Sequence, residues 1–105
     1  MNHTSENSDL IRRGLDECRK ITRRYGTSFY FATQFFPKET RDGIYAVYAF
    51  ARIPDEIVDD PGSSTRLERV QELEAWRQTW LEAMRTGTSD DPVMAAIVFS
   101  FNKYG

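Results

Sequence analysis

At 105 residues the chain has the length of one small domain, and 40% hydrophobic with 29% charged residues is the balance of a soluble globular protein rather than a disordered one. A formal charge of -2 and a pI near 5.4 give no electrostatic case for a nucleic-acid partner. One cysteine, Cys18, excludes an intramolecular disulfide framework, and no run approaches the roughly 18 apolar residues of a membrane-spanning helix.

The start, MNHTSENSD, is polar and carries no targeting pattern, so residues 1–8 are expected to form a disordered tail on a cytoplasmic protein. Peripheral membrane contact stays open. After Ser8, a suitable cap, Ile11, Leu15, Cys18, Ile21 and Tyr25 recur at steps of three or four and predict a helix ending at Gly26. Within it, RKITRR places basic residues on shared faces, which suits a solvated surface better than an anionic-membrane patch. A short apolar piece, SFYFATQFF, closes at Pro37; its aromatic residues suit a cavity wall or a core equally well.

The second main helix is expected from Lys38–Thr40 to about Asp60, where PGSS breaks the chain. Ser63 or Ser64 can cap a third helix that runs to about Thr86, with Gly87 beyond it. Its apolar face would hold Leu67, Val70, Leu73, Trp76, Trp80, Leu81 and Met84. SDDP opens a last helix with an acidic cap and Pro92 in the first turn. That helix carries VMAAIVFSF, apolar on nearly every side, and such a helix belongs inside something. No alternating strand pattern is present, and the fold class is all-α. The covering wall for VMAAIVFSF exceeds what the other helices supply, so the chain is expected to be the front of a larger domain; a tight small bundle, or self-association through exposed apolar surface, would explain it as well.

The stretch YAVYAFARIPDEIVDD concentrates the chemistry. At roughly 100° per residue, Tyr45, Tyr48, Arg52, Asp55 and Asp59 fall on one side of a helix. Asp55 and Asp59 lie one turn apart, and hard oxygen donors without histidine or cysteine suit Mg²⁺, which takes one or two carboxylates and shares its other positions with water and phosphate. Arg52, one turn before Asp55, can grip a phosphate oxygen from the same side. A plain solvated face held by an Arg52–Glu56 pair accounts for the same spacing. Two features favour a site: the stripe is bracketed by apolar residues, and Pro54 removes a helical hydrogen bond just where the acids begin. Pro54 as the first residue of a separate helix would explain the latter without one.

The assembled string YGTSFYFATQFFPKETRDGIYAVYAFARIPDEIVDD resembles the front of the squalene/phytoene synthases, the head-to-head trans-prenyltransferases. The likeness covers Ser28-Phe29, the proline-ended apolar piece, the YAFAR approach and the aspartate motif DEIVD, and extends through the DP opening to KYG, about Leu10 to Gly105. It implies the isoprenoid-synthase helical bundle around a central cavity and the joining of two prenyl diphosphates, farnesyl or geranylgeranyl, through a cyclopropyl intermediate. It also implies Mg²⁺ held by Asp55 and Asp59, diphosphate contacts from Ser28 and Arg52, and Tyr48 facing the reacting carbons. A nicotinamide cofactor is implied only if squalene is the product. Nothing after Asp60 supplies the family's second aspartate-rich motif, so residues 1–105 by themselves are expected to lack condensing activity, and a non-catalytic binding or assembly module of the same ancestry is the alternative.

Overall fold

A computed structural model describes residues 3–59 and 65–104 as helices joined by short connections, with no strand among the described residues. In chain order these are α1 (His3–Tyr25), α2 (Thr27–Thr33), α3 (Lys38–Asp59), α4 (Arg66–Thr86) and α5 (Pro92–Tyr104). The all-α class expected from the sequence is the one found.

The apolar circumference of α5 organises the bundle. Met94 to Val98 and Ser100 are buried because α1, α3 and α4 each pack against a different side of the helix. Its start is built as the SDDP signal predicts: the Asp91 carboxylate accepts from Met94 N at 2.8 Å, and Pro92 takes the first helical position, where a missing N–H costs nothing. On the α1 side the backbones come very close. Gly14 is buried there, and a Cβ on it would lie 1.7 Å from the Pro92 carbonyl oxygen.

Two groups of side chains fill the interior. Cys18, Tyr45, Ala49 and Ala96 meet between α1, α3 and α5. Ala83, Met94 and Val98 meet between α4 and α5, with Trp76, Trp80 and Met84 packed against them. Phe50 ties the second group to α3, its ring centroid 5.4 Å from Trp76, 5.1 Å from Trp80 and 4.9 Å from Phe101. Thr22, fully buried, donates its hydroxyl to the Cys18 carbonyl at 2.9 Å, so burial leaves that group satisfied.

Several expectations are corrected. Ser8 caps nothing: α1 begins at His3, and the expected tail is helical from there. The reason is a packing surface, since Asn7 and Ile11 line a cleft with Ala95 and Phe99 of α5. The caps assigned to Ser63 and Ser64 lie outside the described residues, and the helix is capped by Thr65. There Glu68 N donates to Thr65 Oγ1 at 3.1 Å while Thr65 N donates to Glu68 Oε1 at 3.3 Å, which closes two orphan donors at once. SFYFATQFF contains a helix of its own, α2. On α4, only the part of the expected apolar face that meets α3 and α5 is covered; Leu67, Val70 and Leu81 remain exposed. Helix α3 runs unbroken past Pro54 to Asp59, which excludes a separate helix beginning at the proline. No helix among the described residues is long and apolar enough to cross a membrane.

Gly14→Ala is expected to destabilise the chain by about 3 kcal/mol in urea unfolding, because the obstacle is backbone and cannot swing aside. Burial pushes the Cys18 thiol from its ordinary 9.0 up to about 12, with the Asp91 and Glu17 carboxylates adding to the shift. The folded chain thus keeps a proton that the unfolded chain releases, and stability should fall as pH rises from about 9 toward about 12. Urea titrations across that window should show the fall in the native chain and not in Cys18→Ala.

Candidate diphosphate and prenyl site on the third helix

The five residues expected along one stripe of α3 do not share one environment. They span an arc of about 80° at helical spacing, and α1 and α2 cover one edge of it. Tyr45, on that edge, is buried, stacks on Tyr30 with ring centroids 5.8 Å apart and accepts a hydrogen bond from Gln34 Nε2 at 2.9 Å. It belongs to the core. Tyr48 and Arg52, next along the helix, sit half-buried, and Asp55 and Asp59 stand exposed further toward its C-terminal end.

The junction of α1 and α2 forms the platform for the middle pair. Phe29 stacks on Tyr48 with centroids 5.6 Å apart. The Tyr48 hydroxyl comes so near Gly26 that a Cβ there would be 2.9 Å from it, which accounts for a glycine between the two helices. The Arg52 guanidinium lies 4.3 Å from the Tyr25 ring centroid and pairs with Glu56. That pair raises the Arg52 pKa, and Arg52 Nε is buried without an acceptor. Ser28, exposed in the first turn of α2, has no hydrogen-bond partner among the described residues.

Beside this platform an apolar groove of about 530 Å³ runs along α3, lined by Ile44, Val47, Tyr48 and Ala51 and walled by Phe29 and Tyr104. The α3 positions follow the steps i, i+3, i+4 and i+7, so the sequence carried their signal. Tyr104 had no such signal, because its place depends on contacts across the fold. Its hydroxyl donates to the Glu39 carbonyl at 3.2 Å, and Lys103 pairs with the Glu39 carboxylate, so the end of α5 is pinned over the start of α3. Of the aromatic run, Phe29 lines the groove and Tyr30 packs on the core, whereas Phe31 and Phe35 are 70% and 82% exposed and do neither.

One turn past Ala51 the same face presents Asp55, and a further turn presents Asp59. Tyr48 and Asp55 are seven residues apart, about 10 Å along the axis. Neither carboxylate forms an ion pair among the described residues, so both are free to take a cation. Two carboxylates alone do not enclose a metal, and no group of three or more histidine, cysteine, aspartate or glutamate side chains among the described residues could hold one. The donors present suit an ion that keeps water and shares phosphate oxygens, as Mg²⁺ does. Chemically, the helix sets an apolar groove beside two acids and an arginine, a combination that suits an amphiphile with a polyanionic head bridged by a divalent cation.

The structure is thus an all-α bundle with an apolar groove and two exposed carboxylates along one helix. Comparison with known proteins makes this specific. The squalene/phytoene synthase family model matches residues 22–104. A phytoene synthase of Arthrospira platensis is 39% identical over 88 residues, covering 83% of this chain and 27% of that protein. The 15-cis-phytoene synthase of Synechococcus elongatus is 35% identical over 89 residues, 85% of this chain and 28% of the relative. The chloroplastic phytoene synthase 1 of Zea mays is 30% identical over 103 residues, 94% of this chain and 24% of the relative. The chain belongs to the squalene/phytoene synthase family, and it spans about a quarter of the length of the curated relatives it matches.

In Gly26→Ala the obstacle is the far end of a side chain, so the Tyr48 ring should swing off Phe29 at a cost of about 1 kcal/mol or less. Near-ultraviolet circular dichroism should then change while the unfolding midpoint moves little.

Proposed function

We propose that this chain supplies the first diphosphate-binding wall of an enzyme that condenses two prenyl diphosphates head to head. The observation that carries the reading is that the groove residues Ile44, Tyr48 and Ala51 share one side of α3 with Asp55 and Asp59, which form no ion pair among the described residues. In this reading, the groove takes the prenyl chain and keeps it from water, with Tyr48 placed between the hydrocarbon and the acids. Asp55 and Asp59 would hold Mg²⁺, which when bound supplies positive charge against the negative charge developing on the leaving diphosphate. Arg52 would add its guanidinium to the diphosphate oxygens, steadied by the Tyr25 ring, and Ser28 would donate its hydroxyl. Membership of the family and relatives that are phytoene synthases support the reaction class and the prenyl substrates.

A second reading is favoured by the Arg52–Glu56 pair, in which the arginine already has a carboxylate. On that reading the stripe is a solvated face, and the chain is a helical binding or assembly module. The two readings separate in a titration of the chain with a non-hydrolysable farnesyl diphosphate analogue, with and without Mg²⁺. The enzyme reading expects Mg²⁺-dependent binding that Asp55→Asn and Asp59→Asn each weaken by tenfold or more, and binding indifferent to Mg²⁺ and to both aspartates would refute it. Glu56→Gln frees Arg52 from an exposed pair that contributes little, so binding should tighten by up to about fivefold.

A further inference from the structure

A second cavity lies on the other side of α3 from the apolar groove, between α1, α2 and α3. It encloses about 360 Å³, with Tyr30 and Tyr45 among its walls. Four cationic side chains reach it, Arg12 and Arg19 from α1 and Lys38 and Arg41 from α3, against two carboxylates, Asp16 and Asp42.

The carboxylates are already engaged. Asp16 Oδ1 accepts from Arg19 at 3.0 and 3.1 Å, and Asp42 lies 2.9 Å from Lys38 Nζ. Arg12 is paired with Asp9, 2.8 Å away. Arg41 is left without a carboxylate among the described residues, although it is half-buried. Among the described residues its guanidinium makes a long hydrogen bond, 3.4 Å, to Gln34 Oε1. The Gln34 amide is oriented by its own donors. Its Nε2 gives to Tyr45 Oη at 2.9 Å and to the Tyr30 carbonyl at 3.1 Å, which turns Oε1 toward Arg41. A neutral amide thus steadies the arginine from behind and leaves most of its donor fork unused.

We propose that this cavity is a phosphate-binding site, in which Arg41 clamps two oxygens of a phosphate-bearing ligand while Arg12 and Lys38 balance its remaining charge. The argument is one of unmet donors. A guanidinium carries five N–H groups in a planar fork that matches phosphate oxygens two at a time. Half-buried against one amide oxygen, such a fork keeps most of its donors directed at the cavity and available to an anion. The volume exceeds that of a single phosphate, so a diphosphate or the phosphate of a lipid headgroup fits the same chemistry. The site is separate from Asp55, Asp59 and the groove, and it does not depend on their assignment.

The test is calorimetric titration of the chain with inorganic diphosphate in the absence of Mg²⁺, beside flotation with phosphatidylcholine vesicles with and without phosphatidylglycerol. Diphosphate is expected to bind, and Arg41→Gln to weaken it by about tenfold, the loss of one charge-assisted pair. Arg77→Gln, on exposed α4, should bind as the native chain does. Vesicle binding that requires phosphatidylglycerol and is lost in Arg41→Gln, without diphosphate binding, would assign the site to a lipid headgroup. Absence of both kinds of binding, or equal binding by Arg41→Gln with its helical signal intact, would overturn the proposal.

Discussion

The structure depends on the need to bury α5 from every side. A helix carrying Val93, Met94, Ala95, Ala96, Ile97 and Val98 in succession presents apolar surface around its whole circumference, and one neighbour can cover only part of it. Three helices therefore gather around it, and the closest contact sets their spacing. At Gly14 the α1 backbone reaches the start of α5 with no room for a methyl group. Ala96 and Ala49 repeat the device with the smallest side chain that still excludes water. Small residues admit close helix approach, and the larger rings of Phe50, Trp76 and Trp80 fill the wider gap toward α4.

That arrangement dictates which sides of α3 can do chemistry. Ala46 and Ala49 turn toward the interior, and Tyr45 follows them because α1 and α2 close over its edge of the helix. What remains is the face carrying Ile44, Val47, Tyr48 and Ala51, and beyond them the two aspartates. An apolar face left open along a helix is costly in water unless something lies on it. Here the open face leads to acids at its far end, a polarity gradient that suits a ligand apolar at one end and anionic at the other.

Arg52 shows how closely balanced such a site is. Its guanidinium is shared between the Tyr25 ring and the Glu56 carboxylate, with Nε buried and unmatched. Exposed ion pairs of this kind contribute little and are readily exchanged for a stronger anion. The same logic separates Arg41 from the other cations of its cavity. Arg12, Arg19 and Lys38 each have a carboxylate within hydrogen-bond distance on their own helix, whereas Arg41 has a neutral amide.

Local patterns in the sequence determined the helical class, the span of α3, the Asp91 cap with Pro92, and Gly87, whose φ of 80° ends α4 in the left-handed region. These follow from interactions within a turn or two of the chain, which neighbouring residues specify by themselves. The string from Tyr25 to Asp60 likewise marked the family before any geometry was known. The tertiary structure decided what each face meets. It drew Tyr45 into the core, left Phe31 and Phe35 in solvent, extended α1 to His3 along α5, and set Tyr104 as a groove wall through contacts with Glu39 far away in the chain. Helical periodicity says which residues share a side, but burial depends on which other helix arrives there, and that is settled only when distant segments pack together.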